Sequence, residues 1–271
     1  MLKRWLVLIV LLAVLLPTVL AHEADIPHAE YDDSSVGTKM LSSAATALII
    51  AGILVVLFTV LAMVFHERRG PVTNWLLFLG IAIPVSIATL YSAGTTIALN
   101  TMAETRGPVH WHADFEIFVC GKPLDIKSPE NILNRVGTSV LHEHGDNRIH
   151  IEGVLLRVED ASLGRFFRVI GGYLTGSSLA VPTDKGLVTA NNGDLCPDGS
   201  PGVLQVFRFS PENGRIVQQK LARFSAHVPA AENKVPPGDC IIIEFGPERQ
   251  FTDHLCASYR AAIARGDLYG G

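Results

Sequence analysis

Apolar residues run almost unbroken over 5–20, 41–65 and 75–98, whereas beyond residue 104 they alternate with polar ones or recur at helical spacing. The first run follows the basic start Met1-Leu2-Lys3-Arg4 and closes on Val19-Leu20-Ala21, a small-residue pattern that signal peptidase accepts. Residues 1–21 are therefore read either as a cleaved signal peptide or as a first transmembrane helix. The runs 41–65 and 75–98 each exceed 20 residues, enough to cross a hydrocarbon core of about 30 Å. They predict a transmembrane hairpin over 41–98, preceded by a tether, 22–40. The connector 66–74 carries Arg68 and Arg69, which places it in the cytoplasm by the positive-inside rule. The tether and everything after Asn100 then lie outside. Gly80, Pro84, Ala88 and Ser92 recur every four residues, a stripe that lets a neighbouring helix approach closely. Neither run holds an acidic or basic side chain, so the hairpin reads as an anchor rather than an ion path.

Residues 105–271 read as a strand-rich domain. Trp111, Ala113, Phe115, Ile117 and Val119 alternate with His110, His112, Asp114, Glu116 and Phe118, the period of a half-buried strand. The runs 140–144 and 148–156 predict a hairpin around Gly145-Asp146-Asn147. Leu163, Phe166, Phe167 and Ile170 have helical spacing and stop at Gly171-Gly172. A second hairpin, 204–209 with 215–219, turns at Asn213-Gly214. The run 240–245 reads as a buried strand, and 255–264 as a closing helix. Glycines and prolines between 171 and 202 predict a long irregular loop. The expected class is α+β: an N-terminal leader and a two-helix transmembrane hairpin, then an extracytoplasmic strand-rich domain with one or two helices, held at the cell (inner) membrane.

Composition sharpens the division. Of 271 residues, 48% are hydrophobic and 18% charged, against roughly 25% charged in ordinary soluble domains. The mean hydropathy is +0.32. Yet 17 of the 22 basic and 19 of the 26 acidic residues lie beyond residue 104. A net charge of -4 and no long basic run argue against a nucleic-acid partner. The expected partners are the lipid bilayer and other subunits of a membrane complex. Cys120, Cys196, Cys240 and Cys256 all fall in the outer part, an oxidising setting in which four cysteines predict two disulfides with three connectivities open. No CxxC dithiol exists, so thioredoxin-like redox catalysis lacks its usual motif.

Five of the ten histidines fall between residues 110 and 150. The strand period puts His110, His112 and Asp114 on one face, with the two imidazoles rooted roughly 6.6 Å apart. A three-residue turn at 145–147 pairs His144 with Arg148, which sets His142 opposite His150 and Leu141 opposite Ile151. If that hairpin lies beside the first strand, five imidazoles share one surface. A lone histidine on a strand is ordinarily a hydrogen-bonded or solvated side chain. Five together repel when protonated, and a cation is the usual reason to collect them. Imidazole donors suit copper first by affinity order, with zinc as the alternative. Asp114, Glu143 and Glu152 are placed to orient imidazoles or to add a carboxylate ligand. Cleavage after Ala21 would expose His22 as a terminal residue, whose amine and ring nitrogen together chelate Cu(II).

The string His110-Trp111-His112-Ala113-Asp114-Phe115, with Gly121 and Asp125 downstream, resembles a family of secreted or membrane-anchored prokaryotic domains. These carry an HxHADF strand, an HxHxxN hairpin, an IHx[HE] return strand and an LGxFF helix. The matching segments here are 142–147, 149–152 and 163–167, and Pro237-Gly238-Asp239 before 241–246 is similar to the family's closing strand. The match spans roughly 105–250 and leaves out the membrane hairpin. The family has no assigned activity, and its histidines imply metal binding. Glu152 stands where a histidine is frequent.

The expectation is a membrane-anchored extracytoplasmic metal-binding protein, acting in metal handling or as an accessory subunit. Two other classes stay open: a structural or assembly subunit without metal, and a metal-dependent oxidoreductase or hydrolase. A two-helix hairpin before an outer β domain resembles the layout of cytochrome oxidase subunit II, but that subunit's binuclear copper motif is missing. No paired carboxylates, serine triad or phosphate loop are evident.

Overall fold

The structure, a computed structural model, describes residues 36–68, 70–130, 134–229 and 238–269. The leader 1–21 and most of the tether, with His22, lie outside the described residues. The chain divides into two compact units, Met1–Leu99 and Asn100–Gly271.

The first unit is built on α1 (Val36–Val64) and α2 (Pro71–Met102). Both exceed the expected 41–65 and 75–98, and α1 absorbs the end of the predicted tether. Hydropathy falls at the polar flanks, but helical hydrogen bonding continues through them. Pro71 opens α2 at a position where its missing N–H has no intrahelical acceptor to serve. Lys39–Val64 and Pro71–Met102 are long and apolar enough to cross a membrane. Their large apolar side chains, among them Leu48, Ile53, Leu76 and Leu90, are exposed, the reverse of a soluble core. Gly80 meets Phe58 so closely that a Cβ would lie 2.4 Å from the ring, and Ser43 Oγ lies 2.8 Å from Tyr91 Oη. Gly80 of the small-residue stripe thus packs against the first helix of the hairpin.

In the second unit, β1 (Pro108–Val119) and β2 (Lys122–Pro123) are followed by β3 (Val136–Gly137), β4 (Leu141–Glu143) and β5 (Arg148–Val154). A short α3 (Leu163–Val169) follows. The predicted irregular loop is corrected here. β6 (Tyr173–Leu174), β7 (Ser178–Thr183) and β8 (Gly186–Asn191) form a separate three-stranded sheet. Its glycines and prolines punctuate turns between strands, and Leu179, Ala180 and Val181 bury the middle strand. The chain closes with β9 (Val203–Glu212), β10 (Arg215–Lys220), β11 (Cys240–Gly246) and α4 (Ala257–Arg265).

The main sheet runs β10-β9-β11-β1-β5-β4-β3, with β2 also paired to β1. Every pairing is antiparallel except β1 with β11. Positive φ at Asn213 and Gly214 makes the two-residue turn that joins β9 to β10. One sheet face packs Phe115, Ile117, Ile149, Ile151, Ile241 and Ile243 against Leu163, Phe166 and Phe167 of α3 and against the small sheet. On the opposite face, Phe118, Phe207, Phe209 and Ile242 are covered by Tyr259 and Ala262 of α4. That helix covers only part of this face. Disulfides Cys120–Cys196 and Cys240–Cys256 resolve the open connectivity.

Candidate metal centre

The part of the sheet face beyond α4 carries the histidines. The register sets His110 opposite Glu152, His112 opposite His150, and Asp114 opposite Arg148. On the next strand His142 faces His150 and Leu141 faces Ile151, as the hairpin pattern predicts. His112, His150 and His142 therefore form a row across three neighbouring strands. The turn that fixes this register is clamped by Glu143, whose Oε1 accepts the N–H groups of Asp146 and Asn147.

The imidazoles are in ring contact along the row. Ring centroids lie 4.7 Å apart for His112 and His150, 5.3 Å for His142 and His150, and 4.7 Å for His144 with each of these last two. Two groups have ligand atoms mutually within 4.8 Å: His142, His144 and His150, and His110, His112 and Glu152. In the second, His110 Nε2 is 3.0 Å from His112 Nε2 and 3.2 Å from Glu152 Oε1.

Exposure and charge differ across the face. His142 is 2% exposed, and its Nδ1 is buried with no hydrogen-bond partner. Burial, then the His144 and His150 imidazoles, push its pKa down to about 4, against which Glu152 acts upward. His112 is also held below the ordinary histidine value, first by burial and then by His150, His110 and Arg148. Both rings are thus neutral at pH 7, the form in which a ring nitrogen can donate to a metal. His110 is exposed; His144 and His150 are half-buried. His144 Nδ1 contacts the Asn134 carbonyl.

All five predicted imidazoles meet, and Glu152 joins them as a carboxylate donor. Two other predictions are corrected. Asp114 does not orient an imidazole: its Oδ1 accepts from Arg148 Nε at 2.7 Å, and its Oδ2 accepts from Ser258 Oγ on α4. It marks the line where the helix cover begins. Glu143 points to the turn instead of the rings, because on β4 it alternates with His142. Asp146 was not anticipated. Its Oδ2 lies 3.2 Å from His150 Nε2, and the signal available was an acid inside a turn flanked by same-face histidines. The second unit's other histidines are separate: His254 stacks on Phe118 and His227 lies 3.6 Å from buried Asp239.

No family model, no curated protein and no solved structure matches the chain.

Proposed function

We propose that this chain is a membrane-anchored, extracytoplasmic metal-binding protein that takes copper first and zinc second, and that it serves metal handling or acts as an accessory subunit. The observation that carries this reading is His142: a buried neutral imidazole whose Nδ1 has no partner, inside a group of three histidines within ligand distance of each other. An unpaired buried polar atom costs about 1–3 kcal/mol, and a bound cation removes that cost. Zinc and copper accept three imidazoles plus an exchangeable group. The four methionines, Met1, Met40, Met63 and Met102, all precede the outer domain, and the four cysteines are disulfide-bonded. No soft sulfur ligand is therefore offered there, which favours Cu(II) or Zn(II) over Cu(I). Two helices long and apolar enough to span a bilayer support the anchor, and the disulfides and the Arg68-Arg69 connector support the outer location.

The test is elemental analysis of the full chain purified in mild detergent, beside a variant in which His112 and His150 are both changed to Ala. Copper or zinc in the parent and its loss in the variant are expected. Equal metal content in the two would reject the reading.

A further inference from the structure

Three features of the face, taken together, ask for more than one ion. The row His112–His150–His142 crosses two strand spacings, roughly 9.5 Å between the backbone positions of its ends. Ligand atoms on a single zinc- or copper-sized ion, bonded at about 2.0–2.1 Å, lie no more than about 4.2 Å apart. The two ends of the row fall in different compact ligand groups, His142 with His144 and His150, and His112 with His110 and Glu152. The six donors also divide without overlap into two compact groups, three imidazoles in one and two imidazoles plus a carboxylate in the other. Ligands of a four-coordinate ion with such bonds are separated by about 3.3 Å. The 3.0 and 3.2 Å spacings of His110 Nε2 from its two neighbours already approximate that figure.

We infer that the face is a two-ion centre, with one divalent transition-metal ion on His142, His144 and His150 and a second on His110, His112 and Glu152. The inference rests on the metal-binding reading above. The two places adjoin. His112 of one group is in ring contact with His150 of the other, and Glu152 Oε1 is 3.9 Å from His150 Nδ1. Two dications side by side on neutral imidazoles repel, and Glu152 is the one carboxylate among the six donors, standing at the seam where it offsets that repulsion. Asp146 adds a second negative charge beside His150, and the charge of Arg148, beside this face, is paired with Asp114.

The groups are unequal, which sets an order of filling. His142 is buried and its partners half-buried, so the first place is shielded from water. His110 is exposed at the edge of the second place. The shielded group fills first and holds its ion tightly, whereas the Glu152 group fills second, more weakly, and exchanges with solvent. Each group supplies three protein ligands and so leaves at least one coordination position for water or an incoming anion.

The experiment uses the full chain in detergent, stripped with chelator and titrated with Cu(II) alone, with bound copper counted after dialysis and spin coupling followed by EPR. The parent binds two equivalents in two separable phases, and the second equivalent broadens or diminishes the EPR signal of the first. E152Q and H110A, both on the exposed side, keep the tight equivalent and lose the weak one. H144A loses the tight equivalent and keeps the weak one, with circular dichroism confirming that all variants are folded. A parent that binds a single equivalent overturns the two-ion inference and leaves metal binding intact. A parent that binds none overturns both. Variants that each lose both equivalents together also overturn it, since the groups would then be one site.

Discussion

His142 has its ring nearly sealed from water, and the pKa of about 4 records the cost of protonating it there. In the unfolded chain a histidine titrates near 6.5. Above that pH neither state carries the proton and stability is level. Between about 6.5 and about 4 the unfolded chain takes up a proton that the folded chain refuses, so the metal-free protein loses stability as pH falls. His112 acts in the same direction. Thermal melts of chelator-treated protein from pH 7.5 to 4 should show this decline, and His142→Phe should make it shallower. Asp114 makes a different prediction at the same scale. Because it joins Arg148 to Ser258 rather than to an imidazole, Asp114→Asn should cost about 3 kcal/mol, as breaking a largely buried ion pair does, while metal content stays unchanged. Denaturant unfolding with parallel elemental analysis separates the two effects. Loss of metal in that variant would return Asp114 to the site.

Among the elements, the two disulfides do unequal work. Cys120–Cys196 closes a loop of 76 residues and Cys240–Cys256 one of 16. In the loop-closure account these are worth about 4.5 and about 3 kcal/mol. The double variant C120S/C196S should therefore unfold at lower denaturant than C240S/C256S. The shorter bridge has a more local role: Cys256 caps α4, the helix that brings Ser258 and Arg260 to Asp114 and Glu116. How much of this was legible from sequence depends on the range of the contact. The pairing of His142 with His150 was readable, because a three-residue turn and a period of two fix register within a dozen residues. The Asn213-Gly214 turn was readable for the same reason. The site of α4 was not, since nothing local shows which half of a sheet face a distant helix will cover, and Asp114 was misplaced on that account. The small sheet β6–β8 was missed because its turns contain the same residues that mark irregular loops. Glu143 was misjudged by one position, since alternation sends its side chain to the other side of the strand from His142.

For the whole molecule, the proposed membrane anchor raises the question of which side of the bilayer holds the histidines. With the Arg68-Arg69 connector in the cytoplasm, a phosphatase reporter fused after Gly271 should be active, and one fused at residue 70 inactive. The opposite pattern would invert the topology and put both disulfides in a reducing compartment. The hairpin itself depends on Gly80 against Phe58; Gly80→Leu forces a side chain into the ring and should make the membrane unit sensitive to protease in detergent.

The parallel pairing of β1 with β11 has a consequence in time. A chain delivered from its N-terminus presents residues 108–154 first, and the three strands that carry the imidazoles can pair as soon as they arrive. The other edge of β1 must wait for residues 240–246, which emerge more than 80 residues after β5. During that interval the growing chain displays a bare strand edge, open to association with its neighbours. Assembly of the histidine surface is thus early and local, and closure of the sheet beside it is late and long-range. A cation captured at the first stage would brace the nascent sheet through its most exposed moment.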